Sequence, residues 1–216
     1  MMINRVCIFL CCVCVLGGCG INDEPMPQIV SGSSYAPRVI PPRIIAPKQN
    51  VRGSYSNISR SWFPPSQLEK GWRAVIVHHS ATDFGNAAIF DKWHRERNHW
   101  EGVGYDFVIG NGTDSDDGEV EVTFRWRKQI PGAHCRAEPN NWANEDGIGI
   151  CLVGNFDKTA PSSRQIQSLL KLIHFLQKRY GIPNNRIYGH QDTPGARVTD
   201  CPGRNLSISR LRSMLN

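Results

Sequence analysis

Apolar residues recur along this chain in distinct rhythms, and each rhythm predicts its own element. Residues 73–78, Arg-Ala-Val-Ile-Val-His, form an almost unbroken apolar run that predicts a buried strand. Residues 148–153, Ile-Gly-Ile-Cys-Leu-Val, do the same and predict a central strand covered on both faces. A further strand is predicted at 105–109, stopped by the turn residues Gly110, Asn111 and Gly112. Between 120 and 126 charged and apolar residues alternate, the period of a half-exposed strand. Helical spacing takes over at 85–97, where Ala88, Ile89, Trp93 and Arg97 share a face. A longer helix is predicted behind Ser162 and Gln165, which have capping-box spacing. Its stripe is Ile166, Leu169, Leu170, Ile173 and Leu176; Lys178 and Arg179 suit its last turn, and Gly181 can end it. A short strand at 186–189 follows. Strands alternating with helices predict an α/β domain, a sheet covered by helices. The acidic stretch at 114–117 reads as a solvated loop tip, and no internal repeat is present.

The first 65 residues follow no such rhythm. Residues 1–19 place Arg5 before an apolar run from Val6 to Leu16. That run is too short to span a bilayer comfortably and has the layout of a signal peptide. It ends in Leu16-Gly17-Gly18-Cys19, which resembles a bacterial lipobox. The resemblance implies a lipoprotein signal peptide over 1–19, lipidation of Cys19 and membrane attachment through the acyl chains. An uncleaved anchor or an ordinary secretory signal is the alternative. Gly20 follows, with no aspartate there, which in such lipoproteins points to the outer membrane, facing the periplasm. Residues 20–60 then read as a flexible linker. Eight prolines fall between 20 and 65, and Pro fixes φ and favours extended chain. The folded domain is expected from 61 to 216.

Composition sharpens this division. Apolar residues make up 40% of the chain and charged residues 20%, which suits a packed domain. The formal net charge is +6. Residues 20–71 hold six Lys/Arg against three acids, so the basic excess is spread and tilted towards the linker. A nucleic-acid enzyme concentrates such charge on a folded face, so no nucleic-acid partner is expected. Five of the eight cysteines crowd the first 19 residues, leaving Cys135, Cys151 and Cys201, which is no disulfide framework.

Three residues could hold a metal. His78 ends an apolar strand, His190 follows the strand at 187–189, and Cys201 lies eleven residues later. Zinc favours imidazole and thiolate, and a catalytic site uses three protein ligands and leaves one position open. Strand ends are where such side chains can converge. Taken singly, a histidine is more often a surface or core residue, and a cysteine a small buried hydrophobe.

Five motifs occur in order: Val-His-His-Ser-Ala-Thr at 77–82, Gly-Val-Gly-Tyr-Asp-Phe at 102–107, Gly-Ile-Gly-Ile-Cys-Leu-Val-Gly at 147–154, Gly-His-Gln-Asp at 189–192 and Asp-Cys-Pro-Gly at 200–203. Together, over residues 70–205, they resemble the N-acetylmuramoyl-L-alanine amidases of the phage T7 lysozyme and peptidoglycan recognition protein type. The resemblance implies a single domain with a mixed central β-sheet flanked by helices and a zinc ion in a surface cleft. It implies peptidoglycan or muropeptides as substrate, cut between N-acetylmuramic acid and L-alanine. Position by position, the zinc ligands fall on His78, His190 and Cys201 and the catalytic tyrosine on Tyr105. His134, in Gly-Ala-His-Cys at 132–135, falls where relatives line the cleft, so it is expected to bind substrate. His79 is expected in the core or behind the ligands; His94, His99 and His174 sit in ordinary helical or loop contexts.

Two positions depart from parts of the family. Cys151 stands where some relatives carry a glutamate that could act as a base. Thr199 stands where the phage type has a lysine, while recognition-protein relatives also have threonine. Thr199 joins Tyr105 as a catalytic expectation, and which group carries the proton stays open between them. The alternative function is a peptidoglycan-binding receptor that has lost its chemistry. Such relatives usually lose the cysteine ligand, which this chain keeps.

Overall fold

The computed structural model describes residues 58–216. The signal peptide, Cys19 and all but the last three residues of the expected linker lie outside the described residues. Five strands form one sheet: β1 (Ala74–His79), β2 (Phe107–Ile109), β3 (Val120–Val122), β4 (Gly147–Leu152) and β5 (Ile187–Gly189). Their order is β3-β2-β4-β1-β5. β1 runs parallel to both β4 and β5, β2 runs parallel to β4, and β3 is antiparallel to β2. The helices are α1 (Ala87–Asn98), α2 (Phe124–Lys128), α3 (Trp142–Asp146), α4 (Ser163–Tyr180) and α5 (Ile208–Ser213). The mixed sheet with flanking helices is the architecture expected from the sequence. Among the described residues no helix is long and apolar enough to cross a membrane.

α4 forms as its local signals require. The Ser162 hydroxyl accepts from the Gln165 amide, and the Gln165 side chain accepts from the Ser162 amide, so the capping box is closed. Gly181 ends the helix in the left-handed region at φ 69°. Leu169, Leu172, Ile173, Phe175 and Leu176 are buried, a wider stripe than the expected one, while Ile166 and Leu170 pack at its margin. Arg179, in the last turn, forms an ion pair with Glu69 at 2.6 Å and so ties the segment before β1 to the helix.

The expected strand at 120–126 is corrected. Only Val120–Val122 is extended, and α2 begins at Phe124. Thr123 makes the switch: its hydroxyl donates to the Tyr105 carbonyl at 2.7 Å and accepts from the Arg125 amide at 3.2 Å. A helical turn then buries Trp126 against Phe107 and stacks it on Trp72, ring centroids 4.7 and 5.9 Å away. The helices α3 and α5 were not expected from the pattern. Each has six residues or fewer, too short to show a period.

Strand period two divides the sheet. Val75 and Val77 of β1, Phe107 and Ile109 of β2, and Ile148, Ile150 and Leu152 of β4 join the α4 stripe in the main core. The intervening residues face the other way. There His78 and Cys151 are register partners on adjacent strands.

Candidate metal centre

Three chain segments bring the ligating groups together. His78 is the fifth residue of β1 and is only 1% exposed. Gly189 pairs with Val77, so His190 emerges beside His78 from the neighbouring strand, with ring centroids 4.8 Å apart. The loop after His190 turns back, and the Gln191 amide donates to the Cys201 carbonyl at 2.7 Å. The Thr193 hydroxyl holds the same turn by donating to the Gly189 carbonyl at 2.8 Å. The donor atoms of His78, His190 and Cys201 all lie within 4.8 Å of one another.

The donor set suits zinc. Cys201 Sγ lies 3.6 Å from His78 Nδ1. Two ligands on one tetrahedral zinc, at ordinary Zn–S and Zn–N lengths, stand about 3.5 Å apart. The electrostatics agree. Burial, then the neighbouring His190, His134 and His79, hold His78 well below the usual imidazole range. Burial also brings His190 down to about 4, so both rings are neutral with lone pairs to give. Burial pushes the Cys201 thiol up to about 12. Such a thiol without a cation keeps its proton; a metal displaces it and supplies the missing counter-charge.

Tyr105 stands beside this trio, its ring centroid 5.2 Å from that of His78. Its side chain packs against the buried cluster that contains Cys151. Burial, then the Cys151 and Cys201 thiols, push the phenol well above its usual range, so it stays protonated. Thr199 is half-buried, and its hydroxyl oxygen accepts from the Cys201 amide at 3.2 Å. His79 accepts from the Phe156 amide at 3.1 Å, holding the loop after β4 and lying off the ligand cluster. His134, expected to meet substrate, has its ring buried behind His78, with Nδ1 3.1 Å from His78 Nε2.

His94 is the residue that sequence reasoning passed over. Its ring centroid lies 5.8 Å from that of Tyr105, and its Nδ1 accepts from the Gly104 amide at 2.9 Å. One turn earlier Asp91 accepts from the Val103 amide at 2.8 Å. α1 thus holds two consecutive amides of the segment leading into Tyr105. The Arg125 guanidinium donates to the Val103 carbonyl at 2.6 Å from the other side. The available signal was position: His94 follows the buried Phe90 by four residues, on the inward face of α1.

The fold thus gathers three zinc-type ligands beside the ends of parallel strands, with a tyrosine next to them, as a candidate metal centre. Residues 65–204 match the family described as N-acetylmuramoyl-L-alanine amidase, and the chain belongs to that family. The chain is 29% identical over 191 residues to a peptidoglycan-recognition protein of Drosophila simulans, covering 87% of each. It is 28% identical over 151 residues to N-acetylmuramoyl-L-alanine amidase of Sus scrofa, covering 64% of this chain and 22% of that protein. Among solved structures it resembles N-acetylmuramoyl-L-alanine amidase LysC from Clostridium intestinale, with a TM-score of 0.56 and 27% identity over 68% of this chain and 86% of that one.

Proposed function

We propose that this domain is a zinc-dependent amidase that hydrolyses the bond between N-acetylmuramic acid and L-alanine in peptidoglycan or muropeptides. The observation that carries the reading is the intact ligand set: Cys201 lies 3.6 Å from His78, with His190 in the same cluster. A receptor that only binds the wall has no need of a thiol and two neutral imidazoles around one point. When bound by His78, His190 and Cys201, zinc supplies a water acidified towards neutral pH and a Lewis acid for the amide carbonyl.

The remaining chemistry falls to side chains. Tyr105, protonated and beside His78, donates a hydrogen bond to the carbonyl oxygen as charge develops there. The Thr199 oxygen is engaged by the Cys201 amide, which leaves its hydroxyl hydrogen to orient the same substrate group. Cys151, in the place of a glutamate, is a poor acid, because burial raises its thiol well above its usual range. The alanine amine that leaves therefore takes its proton through water held at Tyr105.

Mass spectrometry of muropeptides incubated with the full chain tests the reading. The expected products are a peptide with a free L-alanine amine and a glycan carrying the lactyl acid, both abolished by a chelator and restored by zinc. Binding without cleavage would assign the receptor function instead. We further propose that Cys19 is lipidated and holds the domain at the outer membrane, facing the periplasm. Cys19→Ala should then move the protein from the membrane fraction to the soluble one; membrane retention of that variant would indicate an uncleaved anchor.

A further inference from the structure

His78 has two ring nitrogens with two different jobs. Nδ1 faces Cys201 Sγ at 3.6 Å, so it is the nitrogen whose lone pair points into the ligand cluster. A neutral imidazole carries its one proton on the other nitrogen. Nε2 of His78 is therefore a donor, and the atom 3.1 Å from it is Nδ1 of His134. The two rings meet nearly edge to face, at 74°.

His134 is built to accept that bond. Its Nε2 is buried and has no hydrogen-bond partner among the described residues. To accept from the His78 Nε2–H, the His134 Nδ1 must carry a lone pair, so the His134 proton belongs on its Nε2. The ring has little room to turn otherwise. A Cβ placed on Gly149 would fall 2.4 Å from His134 Cδ2, and one on Gly132 would fall equally close. The backbone is fixed as well: the amides of His134 and Cys135 both donate to Asn144 Oδ1, at 2.8 and 2.9 Å.

We infer that His134 is a positioning residue for the metal centre, holding His78 in the tautomer and orientation in which Nδ1 faces the metal. The chain of groups runs from His134 through His78 to the ligand cluster. The role is that of an outer hydrogen-bond partner, which orients a ligating imidazole and raises its basicity. This inference rests on the zinc reading above, and it removes His134 from direct contact with substrate.

The test compares three forms of the full chain: wild type, His134→Phe and His134→Asn. Phe keeps the ring volume and removes the acceptor. Asn places an amide oxygen close to where Nδ1 stands. Zinc affinity is read by competition with a chromophoric chelator, and the ligand field by the absorption of the cobalt(II)-loaded protein. His134→Phe should bind zinc about 10–100-fold more weakly. His134→Asn should stay within a few-fold of wild type and keep the wild-type cobalt spectrum. Wild-type affinity in His134→Phe would overturn the inference while leaving the amidase reading intact. A wild-type chain that takes up no zinc would bring down both. Should His134→Phe not fold, imidazole nitrogen NMR of the wild-type protein decides. Protons on Nε2 of both His78 and His134 support the inference, and a proton on Nδ1 of His134 overturns it.

Discussion

On the α4 side of the sheet, β1, β2 and β4 present Val75, Val77, Phe107, Ile109, Ile148, Ile150 and Leu152, all fully buried. On the other side the same strands present Gly149, Cys151 and His78, and beyond them Tyr105 and His134. The backbone and its pairing are shared, yet the two faces do different work. Each large aliphatic side chain buried on the α4 face stabilises the fold by about 1.5–3 kcal/mol. The opposite face buries imidazoles, thiols and a carboxyl, each of which costs stability unless it is partnered. One face therefore supplies the rigidity that lets the other hold unfavourable groups in place.

Substitutions on the two faces should have separable consequences. The largest concerns Tyr105. Tyr105→Phe keeps the ring against His78 and removes the hydroxyl, so turnover should fall about 10²–10⁴-fold. Zinc content and thermal midpoint should barely change, and turnover within a few-fold of wild type would take Tyr105 out of the mechanism. Next comes Leu172→Ala on the α4 face. It opens a cavity in the main core and should cost about 2–5 kcal/mol in denaturant unfolding. The zinc affinity of the folded protein should stay within a few-fold of wild type; a large loss would show that the faces are not independent.

A third effect, confined to a pH window, concerns Asp106, at the seam between the faces. Its Oδ2 accepts from the Gly149 amide at 2.8 Å, while Oδ1 is buried without a partner. Burial pushes its carboxyl from 3.8 up to about 7. A raised acid holds its proton more tightly in the folded state. Its contribution is complete below the unfolded pKa and is lost as pH rises through the folded one. Asp106→Asn has no proton to lose. Its thermal midpoint should therefore gain on wild type between pH 4 and pH 7 and hold that advantage above. A difference independent of pH would mean that Asp106 is ionised throughout.

The two faces were not equally legible in the sequence. The α4 face announces itself locally: an apolar period of 3.6, a capping box at Ser162 and Gln165, and a terminating Gly181. Strand 120–126 misled because Thr123 looks like one more residue in an alternation, whereas its hydroxyl ends the strand through a bond to Tyr105. On the site face, His78, His190 and Cys201 stood out because each sits at a strand end or in a short motif. His94 did not, and His134 stood out only as a residue expected to bind substrate, not as a partner of His78. His94 acts through Gly104 and Tyr105, and His134 meets a ring 56 residues away in the chain. Such pairings come from the sheet order, in which β1 lies between β4 and β5, and no local period reports them.

Metal analysis of Cys201→Ser tests the central claim most directly. Replacing sulfur by oxygen leaves the loop's backbone bonds to Gln191 and Thr199 in place and weakens only the third ligand. The wild-type chain should carry one zinc and release peptide from muropeptides. Cys201→Ser should lose most of both while unfolding at a temperature similar to that of the zinc-free wild-type chain. A Cys201→Ser protein with full zinc and full activity would contradict the account.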